Sequence, residues 1–340
     1  MKTQTIVPTR VVGPIKINYH QLSESISVPL ATFETPLWAS VSRGAKISRL
    51  TAGINAVLLN DCMTRSVLLE AKNALSAAKI SPLLLQNRSA LDTVLANTSR
   101  FTKLKDWHVE QVGNLIFLRF SFTTGDAAGH NMATKAAEVL LDWILEQYSE
   151  LQYVSISGNY CVDKKNSAVN GILGRGKYVI ADLIISQDLC RKELHTTASA
   201  VAALNVKKNL LGSIISGGVR TANAHFANML LAVYLATGQD VANIVEGSQG
   251  FTYAEDRDGD LYFSVTLPNI IVGTVGAAKD LDFVHDNLQL LHCLDVKDSA
   301  QKLAMITAAV VLCGELSLLA AQTNRHELVR THVCLERKKV

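Results

Sequence analysis

The sequence has few cysteines, and they form none of the arrangements that bind metals or build disulfide frameworks. The 340 residues include six of them: Cys62, Cys161, Cys190, Cys293, Cys313 and Cys334. No two form a Cys-x-x-Cys pair, and none stands at metal-ligand spacing from a histidine. We therefore predict no metal cofactor and a reducing, cytoplasmic location. The first residues, MKTQTIVPTR, lack the apolar run of a secretory leader.

Charged residues are also scarce, and neither sign is in large excess. Charged residues make up 19% of the chain and the formal net charge is +3. The protein therefore lacks the basic field expected of a nucleic-acid-binding protein. Small anionic ligands are compatible with this composition, because local charge matters more for them than the total.

Long hydrophobic runs are nearly absent. The most apolar stretch, residues 303–321, contains Gly314 and Glu315. We interpret it as a buried core helix rather than a membrane span, and we expect no membrane partner and a soluble protein.

Several common catalytic motifs are missing. The chain has no G-x-G-x-x-G after a predicted strand and no G-x-x-x-x-G-K-[ST] sequence, which argues against a Rossmann site or a P-loop. It has no G-x-S-x-G and no H-E-x-x-H either, which removes the commonest hydrolase and metalloprotease readings.

The pattern along the chain indicates an α+β fold rather than a regular βαβ series. Residues 1–30 read as short extended pieces, and residues 39–78 carry small and apolar residues at helical spacing. A further helix is expected over residues 83–96. Later a strand is predicted over residues 177–185 and a helix over residues 223–236.

The sequence pattern of residues 67–155 is typical of a compact α+β insert. Two β-like runs, residues 107–111 and 115–122, are separated by Gly113-Asn114, a strong hairpin signal. A strong helical pattern follows over residues 132–147. We predict a smaller domain inserted into a larger one.

Two acidic or basic features stand out in apolar surroundings. Lys164 and Lys165 follow Asp163 inside SGNYCVDKKNSAVNG, and this segment could be a solvated turn or a pocket with fixed positive charge. Glu34 is the only acid between Glu24 and Asp61. It could be a cap or an ion-pair partner, or, if buried, a proton donor with a raised pKa.

Other candidates are individually weak. His225 and Asn228 are three residues apart and share a helix face, yet a histidine on an apolar helix is often a core residue. Asp240 follows Gly238 at the helix exit and reads equally well as a surface acid. His332 lies close to the end of the chain.

Two glycine-bearing turns could receive a phosphate. GDAAGHNM (125–132) leads into a helix, whose free amides suit a phosphate or pyrophosphate. GTVGAAKD (273–280) is the second turn. Ser99-Arg100 could add a hydroxyl and a guanidinium for a further phosphate.

These stretches together resemble the hydroxymethylglutaryl-CoA reductase family, from about Val28 to His332. The most specific pieces are MTRS (63–66), GDAAGHNM (125–132), SGNYCVDKK (157–165), KKNLLGS (207–213), NAHFAN (223–228), GQD (238–240), GTVG (273–276) and GELSLLAA (314–321). The Asp-Lys-Lys form of the lysine loop resembles the eukaryote-type (class I) branch, which usually takes NADPH.

The resemblance implies a four-electron reduction of hydroxymethylglutaryl-CoA to mevalonate and CoA through mevaldehyde. Lys164 matches the catalytic lysine, and Asp240 matches the aspartate that holds it. Glu34 matches the proton-donating glutamate. His332 matches the histidine that protonates the departing CoA thiolate, a task that suits an imidazole.

The resemblance also assigns binding roles. The hydroxymethylglutaryl portion would be held by Arg65, Ser157, Asp163, Lys165, Lys208, His225 and Asn228. Arg43 and Lys46 would meet CoA phosphates. The NADPH residues would be Ser99, Arg100, Asp126, Gly129, Asn131 and Gly276, with Ser99 and Arg100 at the 2′-phosphate.

The implied architecture is a large, helix-rich substrate and CoA domain, residues 1–66 and 156–340, with an inserted small ferredoxin-like nucleotide domain, residues 67–155. Active sites would form at the interface of a homodimer or a higher homo-oligomer.

The chain departs from the family pattern in places. TRVVG (9–13) stands where ENVIG is usual, and GTVGAAK lacks the usual third and fourth glycines. Two alternatives to the reductase therefore stay open: an NAD-dependent oxidation of mevalonate in reverse, and a CoA-binding relative without activity. Arg100 favours a 2′-phosphate and hence NADPH over NADH.

Overall fold

The structure, a computed structural model, describes residues 5–97, 100–276, 278–327, 329–330 and 333. The strands are, in chain order, β1 (Thr9–Tyr19), β2 (Leu22–Ala31), β3 (Ile54–Glu70), β4 (Lys103–Val112), β5 (Leu115–Thr123), β6 (Gln152–Ser155), β7 (Gly176–Ile185), β8 (Thr221–Ala222), β9 (Gly250–Arg257) and β10 (Asp260–Ile270). The helices are α1 (Pro36–Leu50), α2 (Ala74–Gln86), α3 (Arg88–Ala96), α4 (His130–Gln147), α5 (Ala168–Leu173), α6 (Gln187–Glu193), α7 (Ala198–Leu204), α8 (Gly212–Ile215), α9 (Phe226–Ala236), α10 (Ile244–Gly247), α11 (Asp282–Leu290) and α12 (Ser299–Gln322). A π-helical segment, Asn205–Leu211, joins α7 to α8, and a short 3-10 turn, Val241–Asn243, precedes α10.

The fold is mixed α and β, with ten strands connected in one sheet. Its main path runs β2–β1–β3–β7–β10–β9–β8. Most neighbours pair antiparallel, while the short β1–β3 and β8–β9 pairings are parallel. The α+β prediction is confirmed at this level, although the large part of the chain contains far more sheet than "helix-rich" suggested.

Strand β3 belongs to two pairing systems. Its first half pairs with β7 as far as Cys62, and its second half pairs with β5 from Met63 onward. The prediction of helix over residues 39–78 is therefore wrong for β3, whereas α1 and the start of α2, from Ala74, are helical. Apolar residues spaced for a helix also fit a strand whose buried face changes along its length, and β3 changes partners midway.

The second half of β3 opens a small layer of its own. Strands β6, β3, β5 and β4 are adjacent in that order, and every pair is antiparallel. Helices α2, α3 and α4 pack against them around a separate hydrophobic core that runs from Met63 to Leu151 and includes Ile271. The predicted hairpin is confirmed, because only Gly113 and Asn114 separate β4 from β5.

Helix α12 is the centre of the larger core. It packs against α1, α9 and the sheet. Gly44 on α1 allows the closest of these contacts, since a Cβ there would lie 2.4 Å from Cys313 Cα. By length and composition α12 is the one helix of the described residues that could cross a membrane, but 94% of its apolar window is buried inside the protein. The prediction of a buried core helix is confirmed.

Candidate active site

A cavity of about 740 Å³ lies where five segments meet. They are the second half of β3, the lysine loop after β6, the start of α4, the exit of α9, and the glycine-bearing turn after β10. The cavity is lined by Arg65, Gly129, Asn131, Asp163, Lys164, Asp240 and Gly276 among the predicted site residues, and by His130 and Lys279 in addition. Residues far apart in sequence are thus brought to one place.

Lys164 and Asp240 form an ion pair in this cavity. Lys164 Nζ lies 2.6 Å from Asp240 Oδ2. The hydrogen bond to Asp240 raises the pKa of Lys164. Burial alone would raise the pKa of Asp240, but the hydrogen bonds from Lys164 and from the Ala242 N–H, together with the charge of Lys164, more than offset it, so that pKa lies below its usual value. The pair is therefore charged at neutral pH, with a fixed ammonium facing the cavity.

The backbone of the lysine loop is held by a buried network. The Lys164 N–H donates to Glu246 Oε1 (3.1 Å), and Lys164 has a left-handed φ of 54°. Arg175, nearly inaccessible, reaches Asp163 Oδ1 at 2.5 Å and Glu246 Oε1 at 3.5 Å. Burial raises the pKa of Glu246. Arg175 thus fixes the loop from below by holding two carboxylates at once.

The two glycine-bearing turns meet at the other side of the cavity. Ala127 and Val275 form a parallel bridge, and the Thr274 N–H donates to the Asp126 carbonyl at 2.9 Å. Gly273 is required there, because a Cβ would lie 2.4 Å from the Ala128 nitrogen. Gly129 precedes α4 with φ 93°, and the first turn of α4 has no acid. Its amides therefore face the cavity with their partial positive charge uncompensated.

Asp126 has a different role from the one predicted. Its Oδ1 accepts from the Ala300 N–H at 2.9 Å and so caps the start of α12. The carboxylate is not among the cavity-lining groups of the described residues.

A second cavity, of about 410 Å³, contains the other predicted groups. Glu34, exposed just before α1, accepts from Asn228 Nδ2 at 2.6 Å. His225 Nδ1 lies 2.8 Å from Glu315 Oε1, and Arg43 also lines the cavity. Glu34 is exposed rather than buried.

Glu315 organises this second group although no part of it is accessible. It accepts from the backbone N–H groups of Ala224 and His225, and from Thr252 Oγ1 at 2.8 Å. Burial would raise the pKa of Glu315, but the hydrogen bonds, led by that from His225, lower it overall. Burial lowers the pKa of Lys208, which is half-buried in the π-helical segment, and the charge of Glu315 opposes that shift.

The two cavities share no lining residue among those described. His225 directly precedes α9 and Asp240 follows it. Eleven helical residues separate these ends, a span of about 16 Å. Glu34 and Lys164 therefore lie toward opposite ends of α9.

The remaining predicted residues are placed less centrally. Lys46 pairs with Glu193 at 2.5 Å, and Arg43 pairs with Glu327 at 3.0 Å. Lys165 is exposed and its Nζ donates to the Asp163 carbonyl at 3.1 Å. Arg65 Nε donates a hydrogen bond to the Ile156 carbonyl, and the Ser157 N–H donates one to Ser155 Oγ.

Three predicted residues remain: Ser99 and Arg100, expected at the 2′-phosphate of the nucleotide, and His332, near the end of the chain. Arg100 is exposed and lines a separate cavity of about 510 Å³ beside Arg88 and Lys103. Ser99 and His332 lie outside the described residues.

Sequence reasoning missed Arg175, Glu246, Glu315, His130 and Lys279. Only Glu315 carried a signal, as a lone acid inside a long apolar run. The others acquire their importance from contacts between distant segments. Among the described residues, no cluster of three or more His, Cys, Asp or Glu side chains could hold a metal ion.

Comparisons with known proteins agree with this arrangement. A family model described as "Hydroxymethylglutaryl-coenzyme A reductase" matches residues 1–337. The chain is 42% identical over 337 residues to 3-hydroxy-3-methylglutaryl-coenzyme A reductase of Pyrococcus abyssi, covering 97% of this chain and 82% of that protein. It is 40% identical over 341 residues to 3-hydroxy-3-methylglutaryl-coenzyme A reductase 2 of Dictyostelium discoideum, covering 98% and 64%.

A solved structure supports the fold. The class II 3-hydroxy-3-methylglutaryl-CoA reductase from Streptococcus pneumoniae, bound to NADPH in open conformations, superposes with a TM-score of 0.76 at 20% identity, covering 94% of this chain and 77% of that one. The family model and the sequence relatives span nearly the whole chain. This chain belongs to the hydroxymethylglutaryl-CoA reductase family.

Proposed function

We propose that this protein reduces hydroxymethylglutaryl-CoA to mevalonate and CoA, using two NADPH, as a step of isoprenoid biosynthesis. The observation that carries the proposal is the Lys164–Asp240 ion pair in a cavity bordered by the amides at the start of α4. It combines a fixed cation with an anion-receptive surface.

Lys164 would stabilise the oxygen that becomes negative at each reduction. When bound, the nicotinamide supplies the hydride. The ammonium is held by Asp240 before the reaction, so little reorganisation is needed as charge develops. Because its pKa is raised, Lys164 keeps its proton at neutral pH.

Protons and substrate contacts would come from the second cavity. Glu34, oriented by Asn228, would donate a proton during aldehyde formation and reduction. His225 and Lys208 would hold the acyl portion, with Glu315 fixing the imidazole. His332 would protonate the CoA thiolate, since an imidazole titrates near neutral pH.

The first cavity fits the phosphates of a dinucleotide. Gly129 and Gly273 let the two turns pack closely, which places the backbone at the start of α4 in the cavity wall, and the acids Asp163 and Asp240 are already paired with Arg175 and Lys164. A dianionic pyrophosphate would therefore meet uncompensated positive charge. Gly276 and Asn131 would complete this surface, with Ser99 and Arg100 at the 2′-phosphate.

We assign residues 67–155 to an inserted ferredoxin-like nucleotide domain, with residues 1–66 and 156–340 as the substrate domain. The support is the order strand, two helices, strand, strand, helix, strand from β3 to β6, with all pairings antiparallel. The separate hydrophobic core of this region agrees with the assignment.

A homodimer would complete the site. Glu34 and Lys164 lie at opposite ends of α9, so a second copy must bring its Glu34 cavity to the Lys164 cavity of the first. Beside Lys208 the surface is apolar, and Leu211, Ile214 and Ile215 are 51%, 64% and 88% exposed. Such a surface suits burial against another copy.

We place the protein with the eukaryote-type branch and in the cytoplasm. The chain is 42% and 40% identical to its archaeal and Dictyostelium relatives but 20% identical to the class II structure. The five described cysteines are all free and buried, which agrees with a reducing compartment.

The direct test is NADPH oxidation with hydroxymethylglutaryl-CoA, followed spectrophotometrically. We expect two NADPH consumed per thioester and faster turnover with NADPH than with NADH. One reduced cofactor per thioester, or a strong preference for NADH, would contradict the proposal.

A further inference from the structure

Lys279 lines the cavity that contains Lys164 and Asp240, and among the described residues no acid pairs with its side chain. Its Nζ donates to the carbonyls of Thr237 and Gly238, both at 2.7 Å. These are the last carbonyls after α9, so two of the three ammonium protons satisfy a helix end. The third is left for the cavity that Lys279 lines.

The surroundings of Lys279 are prepared for negative charge. Lys279 follows the Gly273–Gly276 turn, which is bridged to the turn preceding α4. The same cavity therefore contains an ammonium on one turn and the open amides of a helix start on the other. Burial lowers the pKa of Lys279 to about 8, because the charged amine is poorly solvated there.

We propose that Lys279 is a ligand for the pyrophosphate of the nicotinamide dinucleotide. In this chain Ala277 and Ala278 replace the two glycines expected after GTVG, and a side-chain cation at residue 279 adds a charge-assisted contact to that loop. A charged donor on a phosphate oxygen is among the stronger hydrogen bonds. The inference rests on the proposed use of a dinucleotide.

The test compares Lys279→Met with Lys279→Arg, using NADP⁺ and NAD⁺ as probes in titration calorimetry. We expect Lys279→Met to raise the Kd of both about tenfold or more at neutral pH, and Lys279→Arg to recover most of the loss. Lys297→Met, at a side chain that is 92% exposed, is the matched control and should leave both Kd values unchanged.

A structural role gives a different pattern. If Lys279 only caps α9, Lys279→Met will lower the Tm and leave both Kd values as in the wild type, which would overturn the proposal. Loss of NADP⁺ binding alone would move the contact to the 2′-phosphate and would equally overturn it. Failure of the wild-type protein to bind either nucleotide would instead count against the proposed function.

The pH dependence is a second readout. A bound phosphate favours the charged amine, so binding takes up a proton once the pH exceeds about 8. The Kd of the wild type should therefore rise with pH, approaching tenfold per unit, and the rise should be absent in Lys279→Met. An equal rise in both proteins would overturn the assignment. The other titratable or charged groups that line this cavity are Arg65, His130, Asp163, Lys164 and Asp240, and Asp280 and Asp282 follow Lys279 along the chain.

Discussion

At the scale of single residues, the chemistry depends on charges held in place before the substrate arrives. Lys164 is tied at both its backbone and its side chain, by Glu246 and by Asp240. Neighbouring Lys165 is exposed and has only a backbone carbonyl as partner. The sequence shows two equivalent lysines, whereas the structure makes one of them the preorganised cation.

Replacing Lys164 should therefore remove turnover without unfolding the protein. We expect Lys164→Ala to lower kcat by about 10²–10³ or more, the effect of losing one preorganised oxyanion donor. The measurement is NADPH oxidation together with a thermal melt, and Lys297→Ala is the control. Normal turnover of Lys164→Ala would refute the assignment.

Glu315 offers a residue-scale prediction about stability. Its folded pKa lies below the ordinary value of 4.5, so its stabilising effect is complete above pH 4.5 and is lost as the pH falls through the folded pKa. Glu315→Gln turns an amide group toward donors that need an acceptor. We expect the free energy of unfolding to fall by about 2 kcal/mol at neutral pH.

Thermal melts of both proteins from pH 7 to pH 3 test this. The gap in Tm between wild type and Glu315→Gln should narrow toward low pH. A constant gap would mean that the carboxylate charge does not matter.

At the scale of elements, the sequence predicts well wherever one local pattern decides the outcome. The β4–β5 hairpin follows from Gly113-Asn114, and the end of α9 follows from Gly238 with φ 60°. Strand β3 was mispredicted because its two halves bury different faces against different partners. The network of Arg175 with Glu246 was invisible because 71 residues separate the two along the chain.

The meeting of the two glycine-bearing turns is the element-scale feature most open to test. Gly273→Ala would push a methyl group into the Ala128 backbone, at a cost of about 1–3 kcal/mol. We expect the KM for NADPH to rise about tenfold or more. Gly113→Ala, in the β4–β5 turn, is the control because its Cβ would meet nothing within 4 Å, and it should keep the wild-type KM. An unchanged KM in Gly273→Ala would show that the turns do not form the nucleotide site.

At the scale of the whole molecule, the position of α9 separates the site into two halves. If one site takes Glu34 from one copy and Lys164 from the other, two inactive variants can complement each other. Co-refolding Glu34→Gln with Lys164→Ala makes half of the dimers mixed, and each mixed dimer has one intact site. We expect about a quarter of the wild-type activity.

The same experiment has an internal control. Lys164 and Asp240 lie in the same half, so a mixture of Lys164→Ala with Asp240→Asn should stay inactive. Recovery in both mixtures, or in neither, would refute a site shared between two copies.

Strand β3 has one more consequence at this scale. The small layer of β6, β3, β5 and β4 is joined to the large sheet through the continuous backbone of β3, whose hydrogen-bonding partners change between Cys62 and Met63. That layer cannot rotate freely about a loop. Any tilt must be taken up as twist in β3, which is hydrogen-bonded to neighbouring strands in both parts of the sheet. With the proposed assignment of that layer to the nucleotide, loading the cofactor would be coupled mechanically to the large sheet, and Leu59, at the irregular register between Leu58 and Asn60, is where that twist would concentrate.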